Sequence, residues 1–212
     1  MDTKLTGKTR IESDLIGARE IPAEALYGVQ TLRGIENFSI SKFRLSEYPL
    51  FIKGLAITKM AAAMANFELG LLTVEQKDAI IAACGEILDG KHHDQFPVDM
   101  IQGGAGTTTN MNANEVIANR ALELMGHERG EYQYCSPNDH VNCSQSTNDA
   151  YPTAIHIGMY FKHLQLLPHL EELIASFRKK GEEFSRIIKM GRTQLEDAVP
   201  MTLGQTFNGF AS

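Results

Sequence analysis

The sequence has no tryptophan and only three cysteines, Cys84, Cys135 and Cys143, among its 212 residues. The cysteines form no CxxC pair and their number is odd, which disfavours a disulfide framework and a cysteine-ligated zinc site. This pattern fits a reducing compartment, so we expect a cytoplasmic protein. The first residues lack the apolar stretch of a secretory signal, and none is expected there.

Basic runs and long apolar runs are also missing. The formal net charge is −6, and the lysines and arginines are scattered, which disfavours nucleic acid and anionic membranes as partners. No apolar stretch looks long and uninterrupted enough to span a bilayer, so no membrane-spanning segment is expected. The sequence contains no dinucleotide-binding fingerprint, Walker A motif or GxSxG elbow, so a nucleotide cofactor and a serine hydrolase lack support.

The pattern of apolar residues predicts a mainly α fold with a small β element. Short extended pieces at residues 9–12 and 18–22 predict a hairpin. Helical periodicity follows at residues 49–72, 73–88, 112–125 and 149–179. Thr73 and Gln76 have the spacing of a capping box, and Pro168 is expected to kink the last of these helices.

Towards the end of the sequence, Gly181 is expected to break the long helix before a further helical piece at residues 182–189. A polar loop at residues 191–200 and the start of another helix complete the pattern. We predict an N-terminal domain over residues 1–144 and the beginning of a helical bundle over residues 145–212. The sequence stops partway through the last helix, so we expect it to belong to a longer protein.

Three polar segments, residues 103–114, 142–149 and 191–200, share one predicted design. Each places hydroxyls and amides where a helix is expected to begin. The start of a helix carries unpaired N–H groups and partial positive charge, so it binds anions readily. The additional donors are neutral, which favours a small carboxylate as the ligand. The alternative is three ordinary helix caps after polar turns. However, each segment has more hydroxyls and amides than a cap needs, and three such segments together favour a shared site for a polyanion.

The same segments offer no clear general base. His140 and His156 are candidates by residue type, with structural or surface roles as the alternative. The neighbouring side chains of residues 92–94, His-His-Asp, diverge in any regular structure, so no metal site is expected there. Arg19 and Arg33 could bind a carboxylate, and pairing with surface acids is the alternative.

With these segments the chain resembles the aspartase/fumarase superfamily, and the aspartases within it. The matching motifs are QGGAGT and NMNANE within residues 102–115, PNDHVN at 137–142, QSTND at 145–149 and GRTQLEDAVP at 191–200. DQFPVD at residues 94–99 and EYQY at residues 131–134 also match. The resemblance extends from about Arg10 to the last residue.

The resemblance implies a lyase that reversibly eliminates ammonia from L-aspartate to give fumarate. It implies no covalent cofactor, although some members are activated by a divalent cation. It also implies a homotetramer built through long bundle helices, so an exposed apolar face is expected on the helix from about Asp149. Substrate contacts are implied for Thr107, Ser146 and Thr147 on the β-carboxylate, for Asn148 near the leaving amino group, and for Thr193 and Gln194 from another subunit.

Departures from the family pattern shape this expectation. Gln194 stands where much of the superfamily has histidine; glutamine can donate a neutral hydrogen bond but does not titrate. Ala105 and the pair Ser146-Thr147 stand where fumarases usually have serines, which favours aspartase over fumarase-type hydration. The serine base of the family, on a Gly-Ser-Ser loop, has no counterpart here. We therefore expect the chain alone to be inactive; a non-catalytic module that binds dicarboxylates or aids assembly is the alternative.

Overall fold

The computed structural model describes residues 7–212, which form two compact units, residues 7–159 and 160–212. Most of the chain is helical, and the strands form two separate two-stranded hairpins. The predicted mainly α fold is therefore confirmed.

The first unit opens with the predicted hairpin, formed by β1 (Thr9–Asp14) and β2 (Gly17–Pro22). The strands are antiparallel, with Asp14 paired to Gly17 across a two-residue turn. The Asp14 carboxylate accepts the backbone N–H groups of Ile16 and Gly17 and so closes the turn. This local bonding explains why a short polar stretch folds as a hairpin.

Four helices follow: α1 (Val29–Asn37), α2 (Pro49–Glu68), α3 (Val74–Leu88) and α4 (Thr107–Leu124). The predicted capping box at the start of α3 is present, with Thr73 accepting from the N–H of Gln76 and Gln76 accepting from that of Thr73. Helix α4 begins five residues before the predicted start at residue 112. Gly106 takes a left-handed φ of 86° just before it, and the Gln102 side chain accepts the N–H of Thr109 in its first turn.

Helices α2, α3 and α4 pack together around the main hydrophobic core. Its fully buried members include Ile52, Leu55, Ile80, Ile87, Ile117 and Leu122. By length and hydropathy alone, α2 is apolar enough to cross a membrane, which corrects the expectation that no stretch meets this criterion. The helix nevertheless packs on α3 and contains a buried lysine, Lys59.

The polar connection after α4 contains a single π-helical turn at Pro137–Val141, begun by Ser136, whose hydroxyl accepts the N–H of Asp139. Helix α5 (Thr147–Glu183) then begins in the first unit and continues into the second. It runs through Pro168 and Gly181 without ending at either, so the predicted break at Gly181 is wrong. Five leucines on its later part are exposed, as the sequence predicts: Leu164, Leu166, Leu167, Leu170 and Leu173.

The second unit contains the rest of α5, a hairpin of β3 (Ile188–Thr193) and β4 (Glu196–Thr202), and α6 (Leu203–Phe210). The polar loop predicted at residues 191–200 is therefore wrong, because most of these residues pair as strands. The helix predicted at residues 182–189 is also wrong, since α5 ends at Glu183 and β3 begins at Ile188. Helix α6 starts with a capping box of Thr202 and Gln205.

Candidate functional site

The start of α4 presents Thr107 and two unused backbone donors. Thr107 is exposed in the first helical turn. The N–H of Thr109 donates to Gln102 and that of Asn110 donates to the Gly106 carbonyl. Within residues 7–212, the N–H groups of Thr107 and Thr108 have no hydrogen-bond acceptor. Because the start of a helix also carries partial positive charge, this turn can bind an anion.

The start of α5 presents the second predicted segment. The Ser146 hydroxyl accepts the N–H of Asn148 at 3.1 Å, and the Ser146 carbonyl accepts the N–H groups of Asp149 and Ala150. The side chain of Asn148 is exposed, and that of Thr147 is half-buried. Ser146 therefore acts as the helix cap, and the next two side chains lie in the first turn with neutral donors.

Two contacts bring these helix starts together. The Asn110 side chain in α4 donates to the Thr147 hydroxyl in α5, with 3.2 Å between Nδ2 and Oγ1. A methyl group added at Gly106 would overlap the ring of Tyr151 in α5, so the turn before α4 lies directly against the first turns of α5. The structure thus joins Thr107 and the Ser146–Asn148 segment in one region of the first unit.

A network of side-chain amides lies behind the start of α5. The side-chain oxygen of Asn142, Oδ1, accepts from Asn110 at 3.0 Å, from Asn114 at 3.2 Å and from the Lys59 amine at 2.9 Å. The same amine donates to Gln145 Oε1 at 3.0 Å. These bonds connect α2 and α4 to the loop that precedes α5.

Lys59 is fully buried, and this burial lowers the pKa of its amine to about 7, although the nearby Cys84 thiol acts in the opposite direction. No ion pair to Lys59 is found within residues 7–212. No role for Lys59 was predicted from the sequence. The available signal was its position in the alanine-rich apolar stretch of α2, where a lysine stands out.

The remaining candidates by residue type have structural partners. Arg33 forms a two-pronged ion pair with Asp14 and thereby lowers the pKa of that carboxyl, and Arg19 pairs with Glu36 at the surface. His140 accepts the Ser136 N–H at 2.7 Å through Nδ1, and burial lowers its pKa. This neutral acceptor role holds the π-helical turn.

The other histidines named from the sequence are exposed or have structural partners. His156 is exposed on α5. His92 contacts Glu86 at 2.7 Å, and His93 contacts the Ile87 carbonyl at 2.9 Å. Within residues 7–212 no group of three or more potential ligand side chains is placed to hold a metal ion.

A cavity of about 750 Å³ lies between the first hairpin, α1 and α4. Thr107, Thr108 and Met111 line it on the α4 side, and Arg33 and Phe38 line it on the α1 side. It is large enough for a small organic acid. Thr107 therefore lies at the edge of both this cavity and the paired helix starts, whereas Ser146, Thr147 and Asn148 do not line the cavity.

Thr193 and Gln194 lie in the second unit, where Thr193 ends β3 and pairs with Glu196. Gln194 and Leu195 form the tip of this hairpin, with left-handed φ values of 50° and 67°. The side chains of Thr193 and Gln194 are exposed. The third polar segment thus presents the donors of Thr193 and Gln194 from a hairpin tip, so the prediction that these donors lie where a helix begins is wrong. The helix predicted after Met201 is confirmed as α6.

Comparison with known proteins adds to this geometry. A family model described as lyase matches residues 17–212. The chain is similar to an aspartate ammonia-lyase of Pseudomonas canavaninivorans, with 60% identity over 96% of this chain and 43% of the relative. The chain thus spans less than half the length of the curated relatives it matches.

Solved structures give the same picture. A fumarate lyase:delta crystallin of Brucella melitensis bound to cobalt superposes with a TM-score of 0.89 at 54% identity, over 96% of this chain and 44% of that one. A class II fumarase of Schistosoma mansoni superposes with a TM-score of 0.85 at 39% identity, over 96% of this chain and 43% of that one. The fold described above is thus shared with both structures.

Proposed function

The chain belongs to the lyase family whose model matches residues 17–212, and from this membership we propose that it carries part of the substrate site of an aspartate ammonia-lyase. The proposed reaction is the reversible elimination of ammonia from L-aspartate to give fumarate. The observation that carries the proposal is the pairing of two helix starts rich in neutral donors, joined by the bond from Asn110 to Thr147.

The chemistry of the reaction fits these donors. Removal of a proton next to a carboxylate places additional negative charge on that carboxylate. Hydroxyls and N–H groups fixed before the reaction stabilise this charge without having to reorganise. In the proposed site, Thr107, Ser146 and Thr147 bind the β-carboxylate, and Asn148 lies near the amino group that leaves. These donors lie at the ends of packed helices, which holds their positions.

The aspartase reaction is favoured over fumarase-type hydration by two features. Ala105 and the pair Ser146-Thr147 differ from the serines usual in fumarases. Identity to the aspartate ammonia-lyase is 60%, against 39% to the class II fumarase. The alternative is a non-catalytic module that binds dicarboxylates, and turnover distinguishes the two.

The proposed site is incomplete within this chain. Thr193 and Gln194 belong to the other unit, and they are proposed to reach the substrate of a neighbouring subunit in a homotetramer. The exposed leucines of α5 supply an apolar surface for such an assembly. The base is proposed to be the family's serine on a Gly-Ser-Ser loop, which has no counterpart among these 212 residues. We therefore propose that the chain alone does not turn over L-aspartate, and that any divalent cation acts as an activator only.

The test compares L-aspartate with L-malate as substrates of the full polypeptide encoded by the gene, with formation of fumarate followed by absorbance. The proposal predicts turnover of L-aspartate and little or none of L-malate. Preference for L-malate would instead support a fumarase, and no turnover of either would support the binding module. The same assay on the 212-residue chain is expected to give no fumarate, and measurable turnover would refute the proposed inactivity.

A further inference from the structure

We propose that Lys59 is a positioning residue that fixes the loop carrying Ser146, Thr147 and Asn148, a role that rests on the proposed function for its catalytic consequence. The geometry is independent of that function. The Lys59 amine lies on α2 and donates to two side chains of the loop, Asn142 at 2.9 Å and Gln145 at 3.0 Å.

Both partners of Lys59 in turn hold the loop backbone. Gln145 donates through Nε2 to the carbonyls of Val141 and Cys143, at 2.8 and 3.2 Å. Asn142 donates through Nδ2 to the Gln145 carbonyl at 3.1 Å. Each partner therefore uses its amide nitrogen to fold the loop and its amide oxygen to accept from Lys59. Lys59 thus links the two hydrogen-bonded parts of the loop, around Asn142 and Gln145, just before α5 begins.

Other side chains support the loop from α2 and α4, but they do not replace Lys59. Asn66 donates to the Cys143 carbonyl at 2.8 Å, and Asn110 and Asn114 donate to Asn142. Within residues 7–212, Gln145 Oε1 accepts from Lys59 only. Loss of the amine would leave this oxygen without its donor in a half-buried position, and an unsatisfied polar group of that kind favours rearrangement.

The surroundings indicate why the residue is a lysine. A buried amine without a carboxylate partner is unfavourable for stability on its own, so its burial requires hydrogen bonds such as those to Asn142 and Gln145. Both the charged and the neutral amine have enough N–H groups for the two acceptors. The titratable group that faces Lys59 is the Cys84 thiol of α3, whose pKa is raised to about 12 by burial, so it stays neutral near pH 7.

Loss of the Lys59 amine is expected to misalign the donors at the start of α5 rather than to unfold the protein. Asn110 donates to both Asn142 and Thr147, so a shift of Asn142 reaches the Thr147 hydroxyl through one side chain. Small displacements of donors aimed at a developing charge lower the rate of the chemical step more than they weaken ground-state binding.

The first measurement uses the 212-residue chain and needs no activity. Hydrogen–deuterium exchange is compared for wild type, Lys59→Met and Cys84→Ala. Methionine has a similar length without donors, and Cys84→Ala disturbs the packing around Lys59 while leaving its bonds to the loop in place. Lys59→Met is expected to speed exchange at least tenfold in peptides covering residues 141–150, with α3 unchanged. Cys84→Ala is expected to leave that loop at the wild-type rate. Equal exchange in the loop of wild type and Lys59→Met would overturn the proposal.

The second measurement uses L-aspartate turnover by the full polypeptide. Lys59→Met is expected to lower kcat at least tenfold while KM changes less than threefold, and Cys84→Ala is expected to keep both near wild type. Thr147→Val serves as the reference for the proposed function: if it changes neither kcat nor KM, the proposed site is wrong. If Thr147→Val lowers kcat/KM and Lys59→Met does not lower kcat, the positioning role alone is wrong.

A third variant, Gln145→Leu, tests the proposal if Lys59→Met does not fold. Gln145→Leu removes the acceptor at the other end of the same hydrogen bond, from a residue that is only half-buried. It is expected to reproduce the faster loop exchange and the lower kcat. In a folded double variant, kcat should fall by clearly less than the product of the two single losses, because both changes disrupt the same loop. Independent, multiplying losses would overturn the proposal.

Discussion

The replacement of Gly54 by alanine tests how closely α2 and α5 approach each other. Alanine is normally better than glycine inside a helix by about 1 kcal/mol, so propensity alone predicts a more stable protein. In the structure, however, a methyl group at Gly54 would overlap the carbonyl oxygen of Ala154 in α5 and lie 3.0 Å from its carbonyl carbon. The atoms that the methyl group would meet belong to the backbone of α5 and cannot rotate away, so α2 and α5 must move apart to accommodate the methyl group.

The size of the effect follows from two opposing terms. Forcing an extra methyl group into a packed core costs about 1 to 3 kcal/mol, and the upper end applies where no side chain can rotate away. Subtracting the helix-propensity gain of about 1 kcal/mol leaves a net loss of about 2 kcal/mol. For a chain of this size that corresponds to a Tm lower by about 4 to 8 °C.

Gly85→Ala in α3 is the matched control, because no atom lies within 4 Å of a methyl group at that position. It should stabilise the chain by about 0.5 to 1 kcal/mol. Urea unfolding followed by far-ultraviolet circular dichroism measures both variants in the same chain, so the second unit contributes equally. Opposite signs are expected. If Gly54→Ala stabilises the chain as much as Gly85→Ala does, the close approach of α2 and α5 is refuted.

Two further predictions concern buried or paired carboxylates. Hydrogen bonds from Arg120, and to a smaller extent from His92, lower the pKa of Glu86 to about 2. Because this folded-state pKa lies below the unfolded-state value, the charged Glu86 stabilises the fold at pH values above the ordinary pKa of glutamate. This stabilisation is lost as the pH falls through about 2. Glu86→Gln should therefore destabilise the chain by about 1 to 2 kcal/mol at pH 7, after allowance for solvent screening, and progressively less below pH 4.5; a pH-independent difference in urea midpoint would contradict this. Glu115 accepts the N–H groups of Gly28, Gln30 and Thr31 at the start of α1, so Glu115→Ala should lower the free energy of unfolding by about 3 kcal/mol or more. The control Glu75→Ala, at an exposed helix start, should change the free energy of unfolding by less than about 1 kcal/mol. Equal effects of the two variants would show that the buried carboxylate does not hold α1.

Local signals predicted the elements whose determinants are close together in the sequence. The first hairpin follows from a turn that Asp14 closes, and α3 follows from the capping box of Thr73 and Gln76. The early start of α4 was missed because threonines have low helix propensity, and the Gln102 side chain that supports the first turn is seven residues from Thr109 in sequence.

The second hairpin was missed for a different reason. Its tip, Gln194-Leu195, takes left-handed φ values without glycine or asparagine, so the usual signal of a tight hairpin is absent. The family motif at residues 191–200 was therefore recognised from its residues, but its hairpin structure was not predicted.

The candidate site could be predicted only in part. The motifs located Thr107 and the residues from Ser146 to Asn148 as donors at helix starts. The link between them, from Asn110 to Thr147, joins residues 37 positions apart and depends on how α4 and α5 pack. Lys59 was missed because periodicity places it on a helix without showing that its amine is buried.

The most direct test of the proposed dicarboxylate site is the kcat/KM of the full polypeptide for L-aspartate after Thr147→Val, with Thr153→Val as control. Valine keeps the shape of threonine but removes the hydroxyl proposed to bind the β-carboxylate. A hydrogen bond to a charged group contributes about 1.5 to 3 kcal/mol, so kcat/KM should fall about tenfold to a hundredfold. Thr153 is exposed on the same helix, and its variant should stay within about twofold of wild type. Equal kcat/KM for Thr147→Val and wild type would contradict the proposed site.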